Sequence, residues 1–144
     1  MAIDYLQLIE TEVNNNFNTR LHTVIRELKQ LAIELDCPIL VLSQLSRSVE
    51  KRQDHYPRIS DLKEYNELEE IADEIWLLYR DEYYNPDSEF KGIAELTIGK
   101  NKHGRTGCIE LSFAPDYASF SNIERKKKFE DGRCKSLISD IKTI

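Results

Sequence analysis

Residues 19–44, TRLHTVIRELKQLAIELDCPILVLSQ, decide the architecture. Leu21, Val24, Ile25, Leu28, Leu31, Ala32 and Leu35 recur at the spacing of one helical face, which predicts a helix over 19–36. Pro38 ends it, because proline lacks an N–H and clashes with the preceding turn. Ile39, Leu40, Val41 and Leu42 follow without a polar break, as expected of a parallel strand covered on both faces. That strand closes on two polar residues, Ser43 and Gln44.

Upstream, Ile3, Leu6, Leu8 and Ile9 form an apolar run broken by one acidic residue, Asp4, and read as a buried strand. Residues 11–18 are polar, with three successive asparagines, and read as a loop ending in a helix cap. Downstream, residues 45–60 hold Arg47, Lys51, Arg52, His55 and Arg58 without a lasting period, which predicts a long loop. A helix over about 60–73 follows, with Leu62, Leu68, Ile71 and Ala72 inward, then a strand over 75–79. Two alternating segments, 92–100 and 107–113, make a hairpin whose tip, 101–106, is basic, and residues 117–120 suit a short final strand. This order predicts an α/β fold: a mainly parallel sheet flanked by helices, with a C-terminal antiparallel hairpin. No internal repeat is visible.

Composition narrows the function classes. The 144 residues are 40% hydrophobic and 32% charged, a balance that suits one globular core and excludes a fibre. No apolar run approaches the roughly 18 residues of a spanning helix, and the first residues carry no basic lead into an apolar signal segment. Cys37, Cys108 and Cys134 stand far apart with no CxxC pair, so the spacing suggests neither a disulfide framework nor a zinc knuckle, and a cytoplasmic location is expected. Residues 121–144 contain seven basic and four acidic residues, which leaves the first 120 at −9 of the total −6. An acidic body is a poor general binder of polyanions, so any nucleic-acid contact must come from local basic loops.

Ligands in parallel α/β sheets sit at the carboxyl ends of strands, which directs attention to Asp4 and to Ser43 and Gln44. A carboxylate at Asp4 suits a magnesium ion, held directly or through water; an aspartate there equally suits a turn or a cap. Gln44 both donates and accepts, so it suits orienting a water or sensing a terminal phosphate, and is also an ordinary polar strand end.

Taken together, IDYLQLI, RELKQLAIELDCPILVLSQLSRSVEKR, RISDLKE, IADEIWLLYRDEYY and AELTIGKNKHGRTGCIELSF closely resemble the C-terminal motor domain of DnaB-type replicative DNA helicases, over about residues 2–120. The resemblance implies a RecA-like fold, ATP and Mg2+ as ligands, a hexameric ring and single-stranded DNA in its channel. Asp4 then matches the Walker B aspartate that organises magnesium and the hydrolytic water. Gln44 matches the glutamine that reports the γ-phosphate to the DNA-facing loops. Lys100 and Lys102 match the paired basic residues that reach from one subunit into its neighbour's site; a hairpin tip so charged also suits plain solvation. Lys63 and Glu64 lie where the family has an Arg-Glu-Ser-Gly loop on the DNA backbone, and Arg47, Lys51 and Arg52 belong to a loop that faces the channel in that family.

The sequence also departs from the family. The phosphate-binding pattern G-x-x-x-x-G-K-[ST] begins at none of Gly92, Gly99, Gly104, Gly107 or Gly132, and the chain opens within the Walker B strand. An incomplete fold is therefore expected: residues 1–120 as the C-terminal part of a motor domain, and 121–144 as a basic, mobile or loosely helical tail. Lys102 stands where the family has an arginine finger, keeping the charge but losing the planar fork. Tyr65 and Asn66 replace Ser-Gly at the DNA loop, and Glu70 and Ile71 replace Gln-Asp after it. In the family the phosphate-loop strand lies between the strands predicted at 39–42 and 75–79, so its loss should make these two close together or drive self-association. A chain of this kind is expected to be inactive alone; a second reading is a non-catalytic remnant that binds or modulates a full-length helicase ring.

Overall fold

A computed structural model of the chain describes residues 1–9 and 17–123. The tail predicted at 121–144 therefore lies outside the described residues beyond Ile123, as does most of the polar stretch at 11–18. The chain divides into two compact units, Met1–Asp54 with Arg58–Ala72, and His55–Pro57 with the chain from Asp73 onward.

In the first unit, β1 (Ala2–Ile3) leads through a 3-10 turn (Leu6–Leu8) toward α1 (Phe17–Glu34). The end of α1 is set by backbone bonding. Cys37 N–H donates to the Ala32 carbonyl at 3.1 Å and Asp36 N–H to Ile33 at 3.2 Å, with Asp36 at φ 44°. That is the Schellman pattern, which satisfies the last carbonyls of a helix before Pro38 turns the chain away. β2 (Leu40–Val41) then pairs in parallel with β1, Ala2 opposite Leu40 and Ile3 opposite Val41. The ladder runs past the strand bounds, since Leu42 N–H donates to Ile3 and Leu6 N–H to Leu42, both at 2.9 Å.

Leu6, Leu21, Val24 and Ile25 are the buried centre of this unit, with Ile9, Leu28, Val41, Leu68 and Ile71 packed around them. Each such side chain removed from water contributes about 2 kcal/mol, which fixes α1 across the parallel pair. Leu68 and Ile71 come from α2 (Asn66–Ile71), which is preceded by a 3-10 helix at Ile59–Tyr65. The single helix predicted over 60–73 is therefore two short ones. β2 departs from expectation too: Leu40 is 50% and Leu42 44% exposed, so only the Val41 face is covered. The apolar faces of α1 and α2 serve one side of the pair, and no second layer exists among the described residues.

The second unit is an antiparallel meander, β3 (Glu74–Tyr79), β4 (Ile93–Asn101), β5 (Gly107–Ala114) and β6 (Ser119–Asn122), in that spatial order. Its β3 alternates strictly, with Ile75, Leu77 and Tyr79 buried and Trp76 and Leu78 exposed. A short helix, α3 (Asp81–Tyr84), fills the turn-rich segment after it. The α/β class holds, with parallel pairing confined to β1 and β2 and the rest antiparallel. Among the described residues β2 pairs with β1 and β3 with β4, so the expected pairing of β2 with β3 is not seen. No helix among the described residues is long and apolar enough to cross a membrane.

Candidate nucleotide and nucleic-acid site

Asp4 and Gln44 lie at the same end of the parallel pair, one residue past Ile3 and three past its partner Val41. Both side chains are exposed. The two strand ends are tied by Gln7, whose Nε2 donates to Ser43 Oγ at 3.2 Å. Sequence reasoning passed over Gln7; its place one helical turn beyond Asp4 is the signal that was available. The Asp4–Tyr5 peptide bond is cis.

The loop after β2 is organised by Asp61, a residue 5% exposed. Its carboxylate accepts from the Arg58 N–H at 2.7 Å, from Ser48 Oγ at 3.4 Å and from the Arg52 guanidinium in a very short ion pair. Its carbonyl accepts from Ser46 N–H at 3.1 Å. The loop is thus ordered around one buried anion and carries a 3-10 turn at Val49–Lys51. Arg52 is part of that anchor; Arg47, Lys51 and Arg58 are exposed, with Arg58 paired to Asp54 at 3.0 Å. Lys63 and Glu64 lie on the backbone of the 3-10 helix at Ile59–Tyr65; their side chains lie outside the described ones.

The hairpin of β4 and β5 presents Lys100 half-buried and Lys102, His103 and Arg105 exposed. Asn101 Oδ1 accepts from the His103 N–H at 3.0 Å, closing the turn. A Cβ at Gly104 would come within 2.8 Å of Asn101 Nδ2, so glycine leaves room for that closure. Asp73, just before β3, accepts from the Lys102 N–H through its carbonyl at 2.9 Å and faces Lys102 Nζ with its carboxylate at 3.3 Å. Asp4 and Gln44 belong to one compact unit, Lys100 and Lys102 to the other.

The second unit has its own polar interior. Tyr56 donates to the buried Glu95 carboxylate in a very short bond, and burial first, then Glu95, pushes the phenol far above its usual range. Glu82 accepts from the Gly92 N–H at 2.8 Å and from Arg80 at 2.6 Å, and these hold its carboxyl below the ordinary value, the backbone bond first.

Whether these residues fit magnesium and a nucleoside triphosphate is answered by the donor set. Asp4 offers one carboxylate, and no group of three His, Cys, Asp or Glu residues comes together among the described residues. Gly92, Gly99, Gly104 and Gly107 all lie in or beside the antiparallel sheet, and none sits in a strand-to-helix loop that could cradle phosphates. Among the described residues, therefore, no glycine-rich strand-to-helix loop stands beside Asp4.

Comparison with known proteins gives this geometry its setting. Residues 1–122 match the family of the DnaB-like helicase C terminal domain. The replicative DNA helicase DnaB of Geobacillus stearothermophilus is 46% identical over 128 residues, 88% of this chain and 28% of that protein. The replicative DNA helicase DnaC of Bacillus subtilis (strain 168) is 44% identical over 133 residues, 91% of this chain and 29% of that protein. Among solved structures, a DnaB-like replicative helicase studied for its interactions with primase superposes with a TM-score of 0.82 at 46% identity, over 85% of this chain and 30% of that one. A second solved structure, an isolated ATPase domain, superposes with the same TM-score of 0.82 at 46% identity, 85% of this chain covering 44% of it. The chain spans under a third of the length of these curated relatives. On this match and this fold, the chain belongs to the family of DnaB-like helicase C-terminal domains, as a partial, RecA-like ATPase domain.

Proposed function

We propose that this chain carries the magnesium-organising, phosphate-sensing and finger elements of a replicative helicase ATPase and lacks the element that cradles phosphate. The reading rests on one observation above all: the register of Ile3 with Val41, which brings Asp4 and Gln44 to one end of a parallel pair. Asp4 is then the magnesium-side carboxylate and Gln44 the γ-phosphate sensor. Lys100 and Lys102, on a preformed hairpin, supply positive charge to a nucleotide held by a neighbouring subunit of a hexameric ring. Single-stranded DNA meets Arg47 and Lys51 on the ordered loop, with Lys63 and Glu64 beside it and Arg52 acting as a positioning residue through Asp61. Each phosphate contact would be weak, and several copies around a channel would add, because each neutralised phosphate releases counterions. The setting is the cytoplasm.

Alone, the chain hydrolyses no ATP. An ATPase assay with Mg2+, with and without single-stranded DNA, tests this; turnover proportional to chain concentration and abolished by Asp4→Asn would overturn it.

The ordered hairpin supports a second reading, a remnant that enters a full-length ring and offers its finger without returning a complete site. Adding the chain to an intact ring of the family should lower the ring's ATPase rate, and the Lys100→Ala/Lys102→Ala variant should not. An unchanged rate at saturating excess disposes of that reading.

A further inference from the structure

Strand β3 ends the four-stranded sheet, and among the described residues nothing pairs with its outer edge. Which of its backbone groups face that edge follows from the ladders. Phe113 N–H donates to the Gly92 carbonyl at 2.8 Å, so Phe113, Leu111 and Ile109 turn their backbone groups toward β4. Their partners Ala94 and Leu96 turn back toward β5, which leaves Glu95 and Thr97 to bond Tyr79 and Leu77 of β3. By alternation Trp76 and Leu78 direct their N–H and C=O outward. Sheet edges are ordinarily blunted by a charge or a proline, and residues 75–79 hold neither. The side chains of Trp76 and Leu78 are 50% and 48% exposed on the same strand.

We propose that a second copy of this chain occupies the edge, β3 pairing antiparallel with the partner's β3 about a two-fold axis at Leu77. That register is self-complementary. Leu77 meets the partner's Leu77, Trp76 meets Leu78, Ile75 meets Tyr79 and Glu74 meets Arg80, so opposite charges close both ends of an apolar run. Arg80 is already held at its end of the strand, by Glu82 at 2.6 Å and over the Phe113 ring at 3.9 Å. A two-residue slip in either direction would set Glu74 against Leu78 or against Glu82, which fixes the register. The axis at Leu77 also places the outward N–H and C=O groups of Trp76 opposite those of the partner's Leu78, as a hydrogen-bonded pair needs. The exposed face continues across the junction as well. Ile109, Leu96 and Leu78 stand in one row and Trp76 beside Ile98, so the row of one copy runs on into Trp76 and Ile98 of the other. Because each copy offers the same patch, the contact closes at two. One strand edge buries less than the roughly 800 Å² per partner of a standard interface, so a dissociation constant of about 1–100 μM is expected.

Amide exchange of the full chain, below and above that concentration range, reads the pairing directly. The Leu77 and Tyr79 amides should exchange slowly at both concentrations. Those of Trp76 and Leu78 should slow by about tenfold or more only at the higher one, in step with a doubling of mass in sedimentation. Leu78→Lys sets a charge against the partner's Trp76 and should leave the chain monomeric at the higher concentration. Ile109→Lys, on the same face two strands from the edge, should dimerise as the unaltered chain does. A chain that stays monomeric overturns the proposal, as does growth beyond two copies. So does association in which the Trp76 and Leu78 amides stay fast or which Ile109→Lys abolishes, since either would assign the contact to the face rather than the edge. A photo-crosslinking phenylalanine at position 76, in mixed isotopically heavy and light chains, gives an answer independent of variant folding: bonds between chains to 77–79 support the proposal, and bonds elsewhere or only within one chain overturn it.

Discussion

Lys102 is held by Asp73 at two points, its N–H on the Asp73 carbonyl at 2.9 Å and its Nζ 3.3 Å from the carboxylate. The backbone bond extends the β3–β4 ladder by one step beyond Glu74 and Asn101, so the hairpin base is fixed to the strand beside it. The side-chain pair is different in kind. Both groups are about two-fifths exposed, and exposed pairs contribute only about 0–1 kcal/mol.

Asp73→Asn should therefore change urea stability by less than about 1 kcal/mol while amide exchange at Lys102 stays slow. Loss of protection at Lys102 would show that the carboxylate, rather than the backbone bond, holds the hairpin.

Asp61 should be far less tolerant. It is nearly buried and gathers Arg58, Ser48 and Arg52 around one carboxylate, whereas Arg52 is a quarter exposed and can partly rehydrate. Asp61→Ala is expected to cost about 2–3 kcal/mol in denaturant unfolding and to speed proteolysis within 45–58. An unaltered cleavage pattern would separate the loop from its proposed anchor.

Tyr56→Phe removes the phenol donor from a Glu95 carboxylate that is 3% exposed, at an expected cost of about 1–3 kcal/mol. Because folding raises the phenol's pKa, the contribution is complete below the ordinary value of about 10 and is lost as pH rises beyond it. Alkaline unfolding curves should show that loss in the unaltered chain and not in the variant.

Glu82 carries the opposite sign. Its carboxyl is held low by the Gly92 N–H and then by Arg80, so the stabilisation is present above about pH 4.3 and disappears as pH falls through the lowered value. Glu82→Gln should be less stable at neutral pH and flatter on acidification; parallel acid curves for the two proteins would contradict this.

Much of this was legible in the sequence for physical reasons. Helical spacing located α1, since Leu21, Val24 and Ile25 are the buried centre that the pattern implied. An apolar run located β3, and alternation located the hairpin. The cover over Leu40 and Leu42 was misread, because an apolar run records what a strand is built to meet, not what the chain itself supplies. Asp61 and Asp73 escaped notice for another reason. An aspartate beside a helix start or a strand start looks like an ordinary turn residue, and only tertiary structure shows that one gathers a loop and the other bonds the base of a hairpin. The roles of Asp4, Gln44, Lys100 and Lys102 rest on family resemblance and on their placement at strand ends and the hairpin.

The central claim is that half of a nucleotide site is present. Titration of the chain with a fluorescent ATP analogue in excess Mg2+ tests it most directly. Without a phosphate cradle, binding should be no tighter than about 1 mM, equivalent to about 4 kcal/mol. Stoichiometric binding in the micromolar range, lost on Asp4→Asn, would contradict the account by showing a complete site.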